Sequence, residues 1–159
     1  MSQNPYQAPT ASLPARPSNA RTSRWRHAGL LVACCFFAIS LFSSTLETGN
    51  GNGFLLGLVC LLFGWGSHLS WYANPPLLLA GVFLLTKRPG AAAISAAVAI
   101  ALMLTALQIT ETYVNEAGTK APVTGYGLGF YLWIGSGVAL LITALASLMA
   151  GPSATSREP

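Results

Sequence analysis

His68 is the one ionisable side chain well inside an apolar stretch of this chain, and it stands between Trp65 and Trp71, just ahead of Tyr72, Asn74, Pro75 and Pro76. An imidazole titrates near neutral pH and bonds through either ring nitrogen, so in apolar surroundings it can relay a proton or hold a ligand. Asn74 adds a second polar group, beside two prolines that interrupt helical hydrogen bonding. Discontinuous helices expose backbone groups to a substrate in this way. His68, Trp71 and Asn74 are therefore the candidate functional residues. The plainer reading of the same residues is a tight turn between two short helices, with a neutral histidine bonded to a carbonyl that the prolines leave free. Transporter sites built on broken helices usually come with a second, symmetry-related break. The other expected helices contain no internal proline.

Little else in the chain could do chemistry. There is no Asp, and Glu47, Glu111, Glu116 and Glu158 all lie outside the apolar segments, so acid–base work among apolar residues would fall on His68 alone. No metal site is expected, because His27 is distant in sequence and no Cys or carboxylate stands at ligand spacing from His68. No cofactor is expected either. Gly49, Gly51 and Gly53 lack the Lys-Ser/Thr pair of a phosphate loop, and Gly125, Gly127 and Gly129 follow no expected strand. Leu31-Val32-Ala33-Cys34 fits a short lipobox. Yet only Ala28 to Ala33 precede the cysteine, and the apolar run continues through Phe36, Phe37, Ile39, Leu41 and Phe42. A processed signal has the apolar stretch before the cleavage site, so the expectation is a retained tail and an ordinary helix carrying Cys34 and Cys35. With Cys60 alone, the cysteines form no disulfide framework.

What must position these residues is read from where charge is missing. Ala28 to Leu46, Phe54 to Thr86, Ala91 to Thr110 and Pro122 to Ala150 contain no Asp, Glu, Lys or Arg, in a chain that is 53% hydrophobic and 8% charged. About 20 apolar residues in a helix match the ~30 Å hydrocarbon core of a bilayer and satisfy their own backbone groups there. The expectation is an all-α polytopic transmembrane bundle over residues 27–150, with helices near 28–46, 91–110 and 128–150 and a segment 54–86 broken near 71–76. Residues 1–26 hold Pro5, Pro9, Pro14 and Pro17 among small polar residues and are expected to form a disordered tail, and 151–159 a short C-terminal one. Nucleic acid is not the implied partner of the +4 net charge, since Arg16, Arg21, Arg24 and Arg26 cluster just before the first apolar segment, as membrane topology would have them.

The segment 54–86 is long for one crossing and short for two. Four crossings, with part of that segment short or re-entrant, put Lys87, Arg88, the N-terminal arginines and Arg157 on the cytoplasmic side and leave Glu47, Glu111, Glu116 and Lys120 outside. Five crossings, with short helices over about 54–66 and 73–86, are the alternative and would separate the two ends. Five helical pieces are expected in either case. Ala92 with Ala96 and Ala93 with Ala97, and Gly135-Ser136-Gly137, supply small-xxx-small faces for close helix packing, within the chain or between copies.

Asn4-Pro5-Tyr6-Gln7-Ala8-Pro9, Trp71-Tyr72-Ala73-Asn74-Pro75 and Gly129-Phe130-Tyr131-Leu132-Trp133 together resemble small uncharacterised bacterial polytopic inner-membrane proteins with an Asn-Pro-Tyr-x-Ala-Pro tail. The resemblance implies a bacterial plasma membrane and no activity. The functional expectation is a non-enzymatic structural or interaction protein whose partners are the bilayer, another copy or another membrane protein. The alternative is an oligomeric small-molecule transporter, pore or sensor that uses the His68 region.

Overall fold

The computed structural model describes residues 20–49, 53–66, 68–113 and 119–150. The tail over 1–19 and the C-terminal segment lie outside the described residues. Among the described residues there are five α-helices: α1 (Ala20–Phe42), α2 (Gly57–Phe63), α3 (Asn74–Leu85), α4 (Pro89–Leu104) and α5 (Leu128–Met149). Four short strands, β1 (Ser44–Thr48), β2 (Gly53–Leu56), β3 (Glu111–Tyr113) and β4 (Lys120–Tyr126), form one antiparallel sheet in the order β2-β1-β4-β3. The all-α expectation is thus corrected to a helical bundle with a sheet at one end.

Helix α1 starts at Ala20, inside the stretch expected to belong to the tail. Alanine and arginine are strong helix formers, and extending an existing helix costs no new nucleus. The helix stops at Phe42, short of the expected Leu46. From there β1 and β2 form a hairpin around the Gly/Asn-rich connection, with Glu47 opposite Phe54 and Thr48 opposite Gly53. Apolar residues at Leu46 and at Phe54 to Leu56 therefore belong to strands, where they had read as helix ends. The apolar run over 91–110 likewise leaves the α-helix at Leu104 and ends in a 3-10 turn, Thr105–Gln108.

The expected break at 71–76 falls earlier. After α2 and a 3-10 turn at Gly64–Gly66, the chain is extended at His68, with φ −143° and ψ 141°. A 3-10 turn at Leu69–Ala73 then runs directly into α3, whose first turn holds the prolines. At that position proline removes no needed donor and its fixed φ suits the helix, so Pro75 and Pro76 begin α3 and do not interrupt it.

Helices α1, α3, α4 and α5 run antiparallel to their neighbours. Gly81 of α3 faces Leu30, and Gly29 of α1 lies so close to Thr143 of α5 that a Cβ there would strike the threonine side chain. At the other end of the same pair, Gly129 of α5 presses on the carbonyls of Ser40 and Ser43. The interior between helices is made of small residues: Ala80, Ala92, Ala96, Ala99 and Ala144 are fully buried. Gly137 opens room for Ile100 and Met103. Of the small-residue positions on α4, Ala92 and Ala96 serve packing inside the chain, while Ala97 faces outward. The outward faces are as apolar as the core, with Leu78, Val82, Ile94, Val98, Ile142 and Leu145 exposed.

Helices α3 and α4 are joined by a tight hairpin. Arg88 N–H donates to Phe83 O at 2.8 Å and Lys87 N–H to Leu84 O at 3.3 Å, the bond pattern of a Schellman cap. Its left-handed position, usually glycine, is taken by Lys87 at φ 59°. This turn lies at the end of the bundle that holds Arg24 and Arg26, opposite the sheet.

Three substitutions probe this packing and the α3–α4 turn through the thermal unfolding midpoint in mild detergent. Ala96→Leu forces a larger side chain into a filled interface and is expected to cost about 1–3 kcal/mol, whereas Val98→Leu, 47% exposed, should leave the midpoint unchanged. Lys87→Gly removes a left-handed non-glycine residue and should raise the midpoint by the equivalent of about 1 kcal/mol.

Candidate functional site

The three residues singled out by sequence meet at one place. His68, Trp71 and Asn74 line a cavity of about 150 Å³ at the sheet end of the bundle, together with Thr45 of β1, Ser70, and Phe130 and Trp133 of α5. Trp65 and Tyr72, grouped with them in the sequence, are more than half exposed or nearly so, at 63% and 50%, and do not line it.

Asn74 is the joint of the site. Its side chain is buried in the first turn of α3, where Nδ2 donates to Trp71 O at 2.9 Å and Oδ1 accepts from Trp133 Nε1 at 3.1 Å. One amide thereby ties the 3-10 turn, α3 and α5 together. Trp71 Nε1 donates to Leu61 O at 2.6 Å, which fastens the same turn to α2. Both indole N–H groups are thus satisfied, as buried tryptophans require. What the two rings have left to offer the cavity is carbon surface.

Phe130 sits 2% exposed in the first turn of α5 and stacks on Tyr126, with ring centroids 4.6 Å apart. Tyr126 O–H donates to Ala106 O at 3.1 Å, and Gly127 N–H to Thr45 O at 3.1 Å, so β4 closes over the helix ends. A Cβ on Gly129 would lie 2.8 Å from Thr45 Oγ1, and only glycine lets α5 approach β1 this closely. Gly125 lies within a strand, β4, and Gly127 and Gly129 follow it, contrary to the sequence expectation. The sheet is antiparallel with no βαβ unit, however, so a dinucleotide fingerprint has no structural basis here.

The polar groups at the cavity divide into two sets. Asn74, Trp71 and Trp133 are spent on structure. Thr45 Oγ1 is buried with no partner. The Ser70 hydroxyl, on a residue 7% exposed, and the half-buried His68 imidazole also make no side-chain hydrogen bond among the described residues. The sequence pointed to His68 but expected it to bond a freed carbonyl, which it does not do. Thr45, Ser70, Phe130 and Trp133 were missed. The Trp133 signal was present in the aromatic cluster opening α5, but its partner, 59 residues away, was not legible.

Among the described residues no Asp, Glu, Lys or Arg lines the cavity. Among the described residues no group of three or more His, Cys, Asp or Glu could hold a metal ion. Cys34 and Cys35 are exposed on α1, away from this cavity. No family model matches the chain, and no curated protein or solved structure shows significant similarity to it.

The division between spent and free polar groups has a measurable consequence. Asn74→Ala strands the Trp133 N–H and is expected to cost about 1–3 kcal/mol, seen as a lower unfolding midpoint. His68→Gln removes no bond and should stay within about 0.5 kcal/mol of the parent.

Proposed function

We propose that this chain is a four-crossing protein of the bacterial inner membrane with a non-enzymatic structural or interaction role, packing against lipid, a second copy or another membrane protein. The carrying observation is the separation of charge across an apolar belt. Arg24, Arg26, Lys87 and Arg88 gather at one end, and Glu47, Glu111 and Lys120 at the other, where Lys120 Nζ lies 3.8 Å from Glu111. Three helices are long and apolar enough to cross a membrane: Ser23–Phe42, Pro89–Gln108 and Leu128–Met149. The fourth crossing is Leu69–Leu85. Its five 3-10 residues and twelve α-helical ones rise about 28 Å together, at ~2.0 and ~1.5 Å per residue. Helix α2, packed against the sheet end of α1, is the short remainder that does not cross.

The positive-inside tendency orients this arrangement with Lys87, Arg88 and both chain ends in the cytoplasm and the sheet outside. The non-enzymatic reading is supported by the cavity's chemistry: among the described residues no carboxylate lines it with His68, and neither a hydrogen-bonded nucleophile–base pair nor a metal cluster is found there. A sensor or transporter reading draws on His68 alone, the unbonded imidazole at the cavity.

Reporter fusions test the orientation. Fusions after Arg88 and Arg157 should report cytoplasm, and those after Thr48 and Lys120 periplasm. A periplasmic signal at Arg88 would overturn four crossings in favour of five. Loss of a cellular phenotype on His68→Gln, with insertion and stability intact, would replace the structural or interaction reading by the transporter, pore or sensor one.

A further inference from the structure

We propose that the cavity at the sheet end is a binding site for a neutral six-membered ring bearing at least one hydroxyl or carbonyl oxygen, of the phenol or quinone class. The proposal stands on the cavity itself and does not depend on how often the chain crosses a membrane.

Size, lining and free hydrogen-bonding groups carry the inference together. A cavity of about 150 Å³ is the size that accommodates a benzene-like ring. The walls are supplied by Trp71, Trp133, Phe130 and Phe37, two of them indoles whose N–H groups are already bonded elsewhere. Flat carbon surface of this kind suits the face or edge of another ring. A purely apolar guest would leave the cavity's polar groups bare. Thr45 Oγ1 is buried and has no partner, and Ser70 and His68 line the same space with unbonded side chains. Each is a group able both to donate and to accept, and burying it unpaired costs free energy that a guest oxygen would recover. A charged guest is disfavoured, because among the described residues no Asp, Glu, Lys or Arg lines the space to compensate it.

The shared chemistry has two sources, a free phenolic compound and the head group of a membrane quinone. A direct test uses the full chain in lipid nanodiscs, 4-fluorophenol and fluorobenzene as probes, and fluorine NMR to read saturable binding above that of empty nanodiscs. The expected result is saturable binding of 4-fluorophenol, about tenfold tighter than fluorobenzene.

Thr45→Val keeps the side chain's shape and removes an unpartnered hydroxyl, so its unfolding midpoint should hold or rise while 4-fluorophenol affinity falls 5- to 10-fold and fluorobenzene affinity stays the same. Ser70→Ala is the second variant, with the same expected pattern. Binding no greater than in empty nanodiscs would mean that the cavity holds only water and would overturn the proposal. So would equal affinity for the two probes, or variants in which phenol binding is unchanged. Displacement of bound 4-fluorophenol by a short-tailed quinone assigns the membrane source, and failure to displace assigns the soluble one; both outcomes support the ring site.

Discussion

The distance at which α5 can approach its neighbours governs this structure. Glycine and alanine let backbones come close, so van der Waals contact replaces the side-chain interdigitation of a larger core. Thr143 over Gly29, Ile100 against Gly137, and Ser40 and Ser43 against Gly129 fix α5 along its whole length. Because α4 also packs on α5, with Ile100 and Met103 against Gly137, three helices share one close-packed seam. On the membrane reading this matters more than it would in water, since lipid gives helices no hydrophobic reason to associate. The outward leucines and valines then need no partner within the chain.

The cavity follows from a change of scale along that seam. Toward the Lys87 turn the packed residues are Ala80, Ala92 and Ala144. Toward the sheet they become Met103, Phe130, Trp71 and Trp133, which are too large to mesh as closely. Asn74 spans the wider end with two hydrogen bonds, where a third helix contact would otherwise be needed. A single amide, satisfied on both of its functions, therefore fixes the shape of the cavity, while the groups left over inside it remain free to act.

Much of the helical layout was legible from charge-free segments, because length and composition decide whether a helix can be apolar all round. The positions of α4, α5 and most of α1 follow from that argument. The sheet was not legible by the same route. Leu46 and Phe54 to Leu56 extend the apolar runs without a charge to mark the change from helix to strand, and only the run Gly49 to Gly53 between them hints at a hairpin. Pairing β1 with β4 is a long-range event that no local pattern encodes. The site was half legible: an ionisable residue amid apolar ones drew attention to His68, and the prolines to Asn74. Thr45 looked like an ordinary helix residue, and its isolation appears only once β1 and Gly129 are seen to meet.

The order in which the sheet is completed sets a timetable for synthesis. Strand β1 can pair with β2 as soon as the hairpin is made, but its other edge waits for β4. Thr124 Oγ1 reaches Glu47 O across 77 residues of sequence. At ~5–20 residues per second, that edge stands open for about 4–15 s during translation. During this interval α3 and α4 are added to α1 while α5 is still to come, so the nascent chain ends it as an unfinished bundle with a bare strand at its rim. The helix that fills the seam, α5, thus follows the covering strand β4 directly in the chain, and the open edge and the open seam are closed by adjacent segments.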